Sequence, residues 1–325
     1  MQAKNQKIVV LGTGGTIAGE SGSARQGLVY EAAKLGIADM LQSIMGPLNA
    51  LPEALTACQF ESEQVAQMDS KDMDFETWMR LAHKCQDLLE QDSVSALVIT
   101  HGTDTLEETA YFLSQVVRAD KPIVLTCAMR PANFENADGP QNLREALLAA
   151  TQLKGRGVWL VAAGEIHHSL YVQKVHPTRL NAFDSGDRGV VASIQNDVIH
   201  FSQDWKLPEP SCAIDIDSLP SSPTWPWVEI VMNHVQTNPK HIDVLCAAGV
   251  QGIVVAGTGN GSISQSMQSA LLSAKASGVE VRISSRCSQG AVVQTEMHQF
   301  EVSRGLNPAK ARVALILALM AQSRA

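Results

Sequence analysis

No stretch of the chain approaches the ~20 consecutive apolar residues of a membrane-spanning helix. The N-terminal MQAKNQ runs straight into KIVVL, leaving no room for a signal-peptide core. Positive charge is scarce as well, with 25 Lys and Arg against 33 Asp and Glu and a formal charge of −8. Nucleic acids and anionic membranes both need a basic footprint, so neither is an expected partner. The two local basic clusters, Lys154-Gly155-Arg156 and Lys310-Ala311-Arg312, read as solvated helix ends. Cysteines at positions 58, 85, 127, 212, 246 and 287 are too widely spaced for a CxxC or zinc pattern. They read as buried free thiols in a reducing compartment, which points to a cytoplasmic protein, although a chain trimmed of its export signal would look the same. His167, His168 and His176 match no HExxH or other metal spacing and read as part of the loop leading to Lys174.

An apolar share of 45% and a charged share of 18% are those of a soluble globular protein, and 325 residues suffice for one large or two ordinary domains. Short apolar runs mark strands at Ile8–Leu11, Ala96–Ile99, Pro122–Leu125, Val158–Val161, Val228–Val231, Gly252–Val255 and Val279–Ile283. Between Asp74 and Gln91 the spacing of Phe75, Trp78, Ala82, Cys85 and Leu89 predicts a helix. Thr105 and Glu108 have capping-box spacing for a helix to about Val117, and Asn307-Pro308 opens a last helix. Such alternation predicts an α/β fold: a large N-terminal domain (1–206) with a mainly parallel sheet covered by helices, and a smaller C-terminal α/β domain (227–325). Residues 207–226 carry five prolines and read as a linker.

The first strand enters a glycine-rich loop, Gly12-Thr13-Gly14-Gly15-Thr16. It is not a dinucleotide fingerprint, because the sixth position from Gly12 is Ile17, and no lysine lies between Lys7 and Lys34 to complete a P-loop. Ligands of parallel sheets bind beyond the carboxyl ends of the strands. Three loops rich in small polar residues follow such ends: TGGT, THGTDTLEE and GTGNGS. In the second, Thr103 and Asp104 stand before a helix N-terminus. A helix cap needs one such residue, so the surplus hydroxyls beside a carboxylate suit an ammonium ligand and an aligned water.

TGGTIAG at Thr13–Gly19 and HGTDTLEETAYFL at His101–Leu113 resemble the two signature motifs of the bacterial-type L-asparaginase family. AMRP at Ala128–Pro131, ADGPQNL at Ala137–Leu143, GTGNG at Gly257–Gly261 and LNPAKAR at Leu306–Arg312 are similar to further family segments, in family order across nearly the whole chain. The resemblance implies an amidohydrolase that converts L-asparagine to L-aspartate and ammonia, with minor glutaminase activity, without metal or organic cofactor. It also implies a homotetramer, a dimer of dimers with sites at subunit interfaces.

By the same resemblance Thr16 is the nucleophile, forming an acyl-enzyme, and Tyr30 the tyrosine that contacts it. Thr103, Asp104 and Lys174 match the second catalytic cluster, Lys174 serving either as base or as electrostatic support. Ser70 and Asn260 match substrate-binding positions, and Glu296 is the nearest candidate for a glutamate contributed by a neighbouring subunit. Glycine amides around Thr16 could stabilise an oxyanion, and His101 reads as support for the Thr-Asp loop. Lys71 departs from the family's usual glutamine. Its charge would repel a substrate ammonium, so it must reach the substrate carboxylate or point away, tuning affinity without taking part in chemistry. Gly19, Gly22 and Gly27, with Ser21, Ser23 and Gln26, give the Gly12–Tyr30 segment a lid composition. Two alternatives stand beside this reading: an ammonia-donating subunit of a tRNA-dependent amidotransferase, and a noncatalytic nucleotide-binding or interaction module.

Overall fold

The computed structural model describes residues 6–22, 30–45, 51–118, 120–153, 155, 157–203, 205–206, 214–220 and 225–322. The chain divides into two compact units, Met1–Ile216 and Asp217–Ala325.

The first unit holds strands β1 (Gln6–Gly14), β2 (Glu20–Ser21), β3 (Tyr30–Glu31), β4 (Cys58–Met68), β5 (Val94–Thr100), β6 (Pro122–Thr126), β7 (Gly157–Ala162), β8 (Glu165–His168), β9 (Gln173–Lys174), β10 (Phe183–Asp184), β11 (Ala192–Gln195) and β12 (Val198–Phe201). Its helices are α1 (Ile37–Met45), α2 (Glu53–Thr56), α3 (Phe75–Leu89), α4 (Leu106–Val116) and α5 (Gly139–Gln152). Eight strands form one sheet in the order β12-β11-β8-β7-β6-β5-β1-β4. From β4 to β7 all neighbours are parallel, whereas β8, β11 and β12 extend the sheet antiparallel. Ile8–Leu11 and Ala96–Ile99 are almost wholly excluded from solvent, as strands covered on both faces must be.

The parallel part places its second strand, β4, on one side of β1, and its third, β5, on the other. Chain direction across the sheet therefore reverses at the β1/β5 seam, which opens a crevice at the carboxyl ends. Register brings those ends level: Gly14 pairs with Met68, Gly12 with Thr100, and Thr100 with Thr126.

The second unit has strands β13 (Val228–Met232), β14 (Gly252–Gly257), β15 (Glu280–Ser285) and β16 (Glu301–Val302), in sequential, all-parallel order. Helices α6 (Lys240–Ala247), α7 (Gln265–Ala276) and α8 (Pro308–Gln322) accompany them. A core of Val231, Ile242, Val255, Met267, Leu271 and Ile283 binds strands to helices.

Every strand marked in the sequence is a strand. The 11-residue β4 gave no such mark because CQFESEQVAQM has no continuous apolar run; as the edge strand of the sheet it needs none. The Asp74 carboxylate caps α3 by accepting from Thr77 N at 2.7 Å, and Asn307 caps α8 by accepting from Lys310 N at 3.0 Å. Thr105 stands at the N-cap position of α4 without a side-chain cap bond, so the capping box does not form through its hydroxyl. Lys310 is not a solvated helix end: it is 1% exposed in the first turn of α8. Lys154 and Arg156 lie outside the described residues. In the proline-rich stretch, Ile214, Ile216, Leu219 and Trp225 are buried, which a purely solvated linker would not allow.

The switch point is closed by backbone contact. A Cβ on Gly15 would fall 2.3 Å from Gly102 Cα, and Gly15 has φ 81° and ψ −172°. Gly189 adopts a similar backbone, φ 65° and ψ −176°, but a Cβ there would meet nothing within 4 Å. Both substitutions to alanine carry the same backbone strain, about 1–3 kcal/mol, so Gly15→Ala should lose clearly more stability in urea unfolding than Gly189→Ala.

Candidate active site

Four loops meet at the carboxyl edge of the first unit's sheet. After β1, the Thr13 hydroxyl donates to Thr100 O at 2.9 Å, tying β1 to β5. Of the two loop threonines, Thr13 is thus engaged in the sheet. Gly14 and Gly15 then turn the chain at positive φ, Gly15 N donates to Met68 O at 2.9 Å, and Thr16 begins a 3-10 turn, Thr16–Ala18. Ile17 anchors that turn by filling the space above Gly139, where a Cβ would lie 2.9 Å from Ile17 Cγ1. Gly19 O accepts from Ala132 N, and Ser21 exchanges hydrogen bonds with the Asn133 amide. Thr16 itself is 5% exposed.

The amides of Gly15 and Gly19 are not open to an oxyanion, since Met68 O and Thr16 O already accept from them. Tyr30 lies in β3, its backbone paired with Ser21; its side chain lies outside the described residues. So do residues 23–29, which carry half of the lid composition, Ser23, Gln26 and Gly27.

After β4, the Asp69 carboxylate caps the short turn Ser70–Asp72. Ser70 is 2% exposed and joins two loops: its Oγ accepts from Asp104 N at 3.1 Å, and its carbonyl accepts from Thr105 Oγ1 at 2.7 Å. This is where the Thr105 hydroxyl goes instead of capping α4. A Cβ on Gly102 would lie 2.4 Å from Ser70 Oγ, so Gly102 is gripped between Ser70 and Gly15. Lys71 turns its ammonium to the carboxylates of its own turn, 2.5 Å from Asp69 Oδ2 and 3.5 Å from Asp72 Oδ2. The Asp69 partner holds that ammonium above the ordinary lysine range.

After β5 come the groups with the richest chemistry. Lys174 Nζ donates to Thr103 Oγ1 at 2.8 Å and to Asp104 Oδ1 at 2.6 Å, while the two acceptors lie 3.5 Å apart. Thr103 is buried; the Asp104 side chain is 52% exposed, so the cluster has one dry and one wet side. Lys174 arrives on the β9–β10 hairpin, and its backbone N–H donates to the buried Glu107 carboxylate in the first turn of α4. Sequence reasoning missed Glu107, whose function is visible only through a partner far along the chain. Asp138 was likewise unassigned; it accepts from the amides of Met129 and Arg130 at 2.9 Å and shapes the loop after β6.

His101 is completely buried and hydrogen-bonded to Gly102 O and Thr109 Oγ1. Burial pushes it down to about 4. His167 and His168 are not loop residues: both are buried in β8, His167 against Ser185 Oγ and His168 among Trp159, Tyr171 and Trp205. Cys127, beside this site, is buried with its thiol pushed up by desolvation and is no nucleophile.

Asn260 and Glu296 belong to the second unit. The Asn260 amide brackets one residue, its Nδ2 donating to Val293 O at 3.0 Å and its Oδ1 accepting from Val293 N at 2.8 Å. His298 Nε2 bonds Asn260 O at 2.9 Å, so this side chain and backbone hold the segment on whose exposed turn Glu296 sits. Glu301 is accounted for by an ion pair with Arg282 at 2.6 Å on the sheet edge.

Known proteins are similar to this chain over nearly its whole length. Residues 7–207 match the family model "Asparaginase, N-terminal", and residues 227–325 match "Glutaminase/Asparaginase C-terminal domain". L-asparaginase 2 of Bacillus subtilis is 34% identical over 317 residues, 96% of this chain and 82% of that protein. A glutaminase-asparaginase of Pseudomonas fluorescens is 34% identical over 328 residues, covering 98% and 87%. The crystal structure of a probable cytoplasmic L-asparaginase from Campylobacter jejuni has a TM-score of 0.88 at 34% identity, covering 97% of this chain and 95% of that one. The chain belongs to the asparaginase family of hydrolases.

The buried His101 makes a pH-dependent contribution to stability. Its folded value of about 4 lies below the ordinary 6.5, so the unfolded chain binds more protons between these limits. Stability from this group is complete above about 6.5 and declines as pH falls towards about 4, by up to about 1.4 kcal/mol per pH unit. Urea unfolding at a series of pH values should show a His101→Gln difference from wild type that shrinks across that window.

Proposed function

We propose that the protein hydrolyses the side-chain amide of L-asparagine to L-aspartate and ammonia, with L-glutamine as a lesser substrate. The observation that carries this reading is the Thr103–Asp104–Lys174 cluster, set on a loop whose Gly102 packs against Gly15 beside Thr16. In the proposed reaction the Thr16 oxygen attacks the amide carbon, the C–N bond breaks, and the hydroxyl proton leaves with ammonia. Water aligned by Thr103 then cleaves the acyl-enzyme, returning a proton to Thr16 and releasing aspartate. Tyr30 contacts the nucleophile. Lys174, ion-paired to Asp104, acts as electrostatic support, fixing the Thr103 hydroxyl and stabilising negative charge as it develops.

Asp104 is the natural partner for the substrate's α-ammonium, being ionic and half exposed. Ser70 joins it as a substrate-binding residue. Asparagine and glutamine differ by one methylene, a difference usually worth about 1–3 kcal/mol, which leaves room for both activities. The reaction as written uses no metal or organic cofactor. We further propose a cytoplasmic homotetramer, a dimer of dimers, in which the exposed Glu296 turn of one copy, braced by Asn260, completes the site of its neighbour.

Ammonia release from asparagine by the purified chain is the deciding measurement; its absence without an added partner protein would favour an ammonia-donating subunit instead. Thr16→Ala and Thr103→Val should each lower kcat by about a thousandfold or more while the chain remains folded. An asparagine-like electrophile should label Thr16, and label on Thr103 whether or not Thr16 is present would overturn the nucleophile. Asp104→Asn should raise KM as well as lower kcat.

Lys71 is expected to act on binding alone. With its ammonium turned to Asp69 and Asp72, Lys71→Gln should shift KM and leave kcat within a few-fold. A collapse of kcat at constant KM would make it catalytic.

A further inference from the structure

Behind the Thr103 loop, three buried side chains form a hydrogen-bonded relay that the proposed chemistry leaves unused. Trp78 Nε1 donates to Thr109 Oγ1 at 2.8 Å, Thr109 Oγ1 lies 3.0 Å from His101 Nε2, and His101 Nδ1 lies 2.7 Å from Gly102 O. The two ends fix the outer links, and the neutral state that burial imposes on the imidazole fixes the middle one. An indole nitrogen can only donate and a carbonyl can only accept. Thr109 therefore accepts from Trp78 and gives its single proton to His101 Nε2, and Nδ1–H donates to Gly102 O. All three side chains are at most 4% exposed, so water does not compete for these bonds. Trp78 is itself held by stacking on Phe112, with ring centroids 4.8 Å apart and planes 12° from parallel.

We propose, on the reading of the site as an amide-hydrolysing centre, that Thr109 and Trp78 are positioning residues for Thr103, acting through His101 on the Gly102–Thr103 peptide. The grip of Gly15 and Ser70 on Gly102 limits where its Cα can lie, but not how the following peptide plane is rotated. That plane is rigid, so aiming its carbonyl at His101 also fixes the direction of the Thr103 N–H and the base from which the Thr103 side chain rises. The relay works only with a neutral, Nδ1-protonated ring, and burial keeps His101 neutral through the physiological range.

The binding half of the same loop has a separate anchor. Asp104 N and Thr105 Oγ1 both bond to Ser70. Loss of the relay should therefore disturb the hydroxyl more than the carboxylate, and appear in kcat rather than in KM.

Two substitutions of Thr109 in the full chain separate a relay from mere packing. Valine keeps the volume and loses the hydroxyl; serine keeps the hydroxyl and loses a methyl. Packing alone makes serine the worse replacement, whereas the relay makes valine the worse. Expected is a fall in kcat on asparagine of about 10- to 100-fold for Thr109→Val, with KM within about threefold, and near-wild-type kcat for Thr109→Ser. The nitrogen NMR resonance of His101 Nε2 should move in the valine variant and stay in the serine variant. Should Thr109→Val not fold, Trp78→Phe keeps the ring stack, removes the donor, and should lower kcat at constant KM. A serine variant slower than the valine variant, or unchanged kcat in Thr109→Val or Trp78→Phe, would overturn the positioning role and leave asparagine hydrolysis standing. A wild-type chain that releases no ammonia from asparagine or glutamine would overturn the hydrolytic reading, and the positioning role with it.

Discussion

Everything in the first unit's site depends on a place where two backbones touch without side chains between them. Gly15 and Gly102 open the loops after β1 and β5, and either Cβ would collide with its surroundings. The contact lies at the seam where strand order reverses, so the sheet topology supplies the crevice and the glycines allow its walls to close. Ser70 joins the same contact from the loop after β4. Thr16, Ser70, Thr103 and Asp104 therefore come from strands that are neighbours in space although distant in sequence.

The loop after β5 has separate supports for its separate groups. Ser70 holds Asp104 and Thr105, His101 holds the Gly102 carbonyl, and Lys174, itself fixed by Glu107, reaches across to Thr103 and Asp104. Precision thus comes from buried partners rather than from the loop's own conformational preference. A loop rich in small polar residues has little preference of its own, which is why each position needs a tether.

This division explains which features could be read in the letters. The central strands were legible because strands covered on both faces must be continuously apolar, as Ile8–Leu11 and Ala96–Ile99 are. The polar edge strand β4 carried no comparable signal, and neither did the antiparallel extension from β8 to β12. At the site, clustered hydroxyls, glycines and carboxylates after strand ends marked the right loops. The tethers were not legible: Glu107, Asp138 and Thr109 look like ordinary helix and loop residues until partners far along the chain are brought beside them. Lys310 misled for the complementary reason, since a charge beside another charge in sequence says nothing about the depth at which it is folded.

The Thr13–Thr100 hydrogen bond has a consequence for how the protein is made. It joins residues 87 positions apart, and β1 lies between β4 and β5 in the finished sheet. During synthesis β1 emerges before either of its partner strands, as a largely apolar strand with both edges unpaired. It must wait for β4 to cover one edge and for β5 to cover the other, so its early life is one of exposure. This interior strand is therefore in need of protection on the ribosome, and a chain arrested before β5 is made would leave the edge that β5 later covers open to pairing with its own copies.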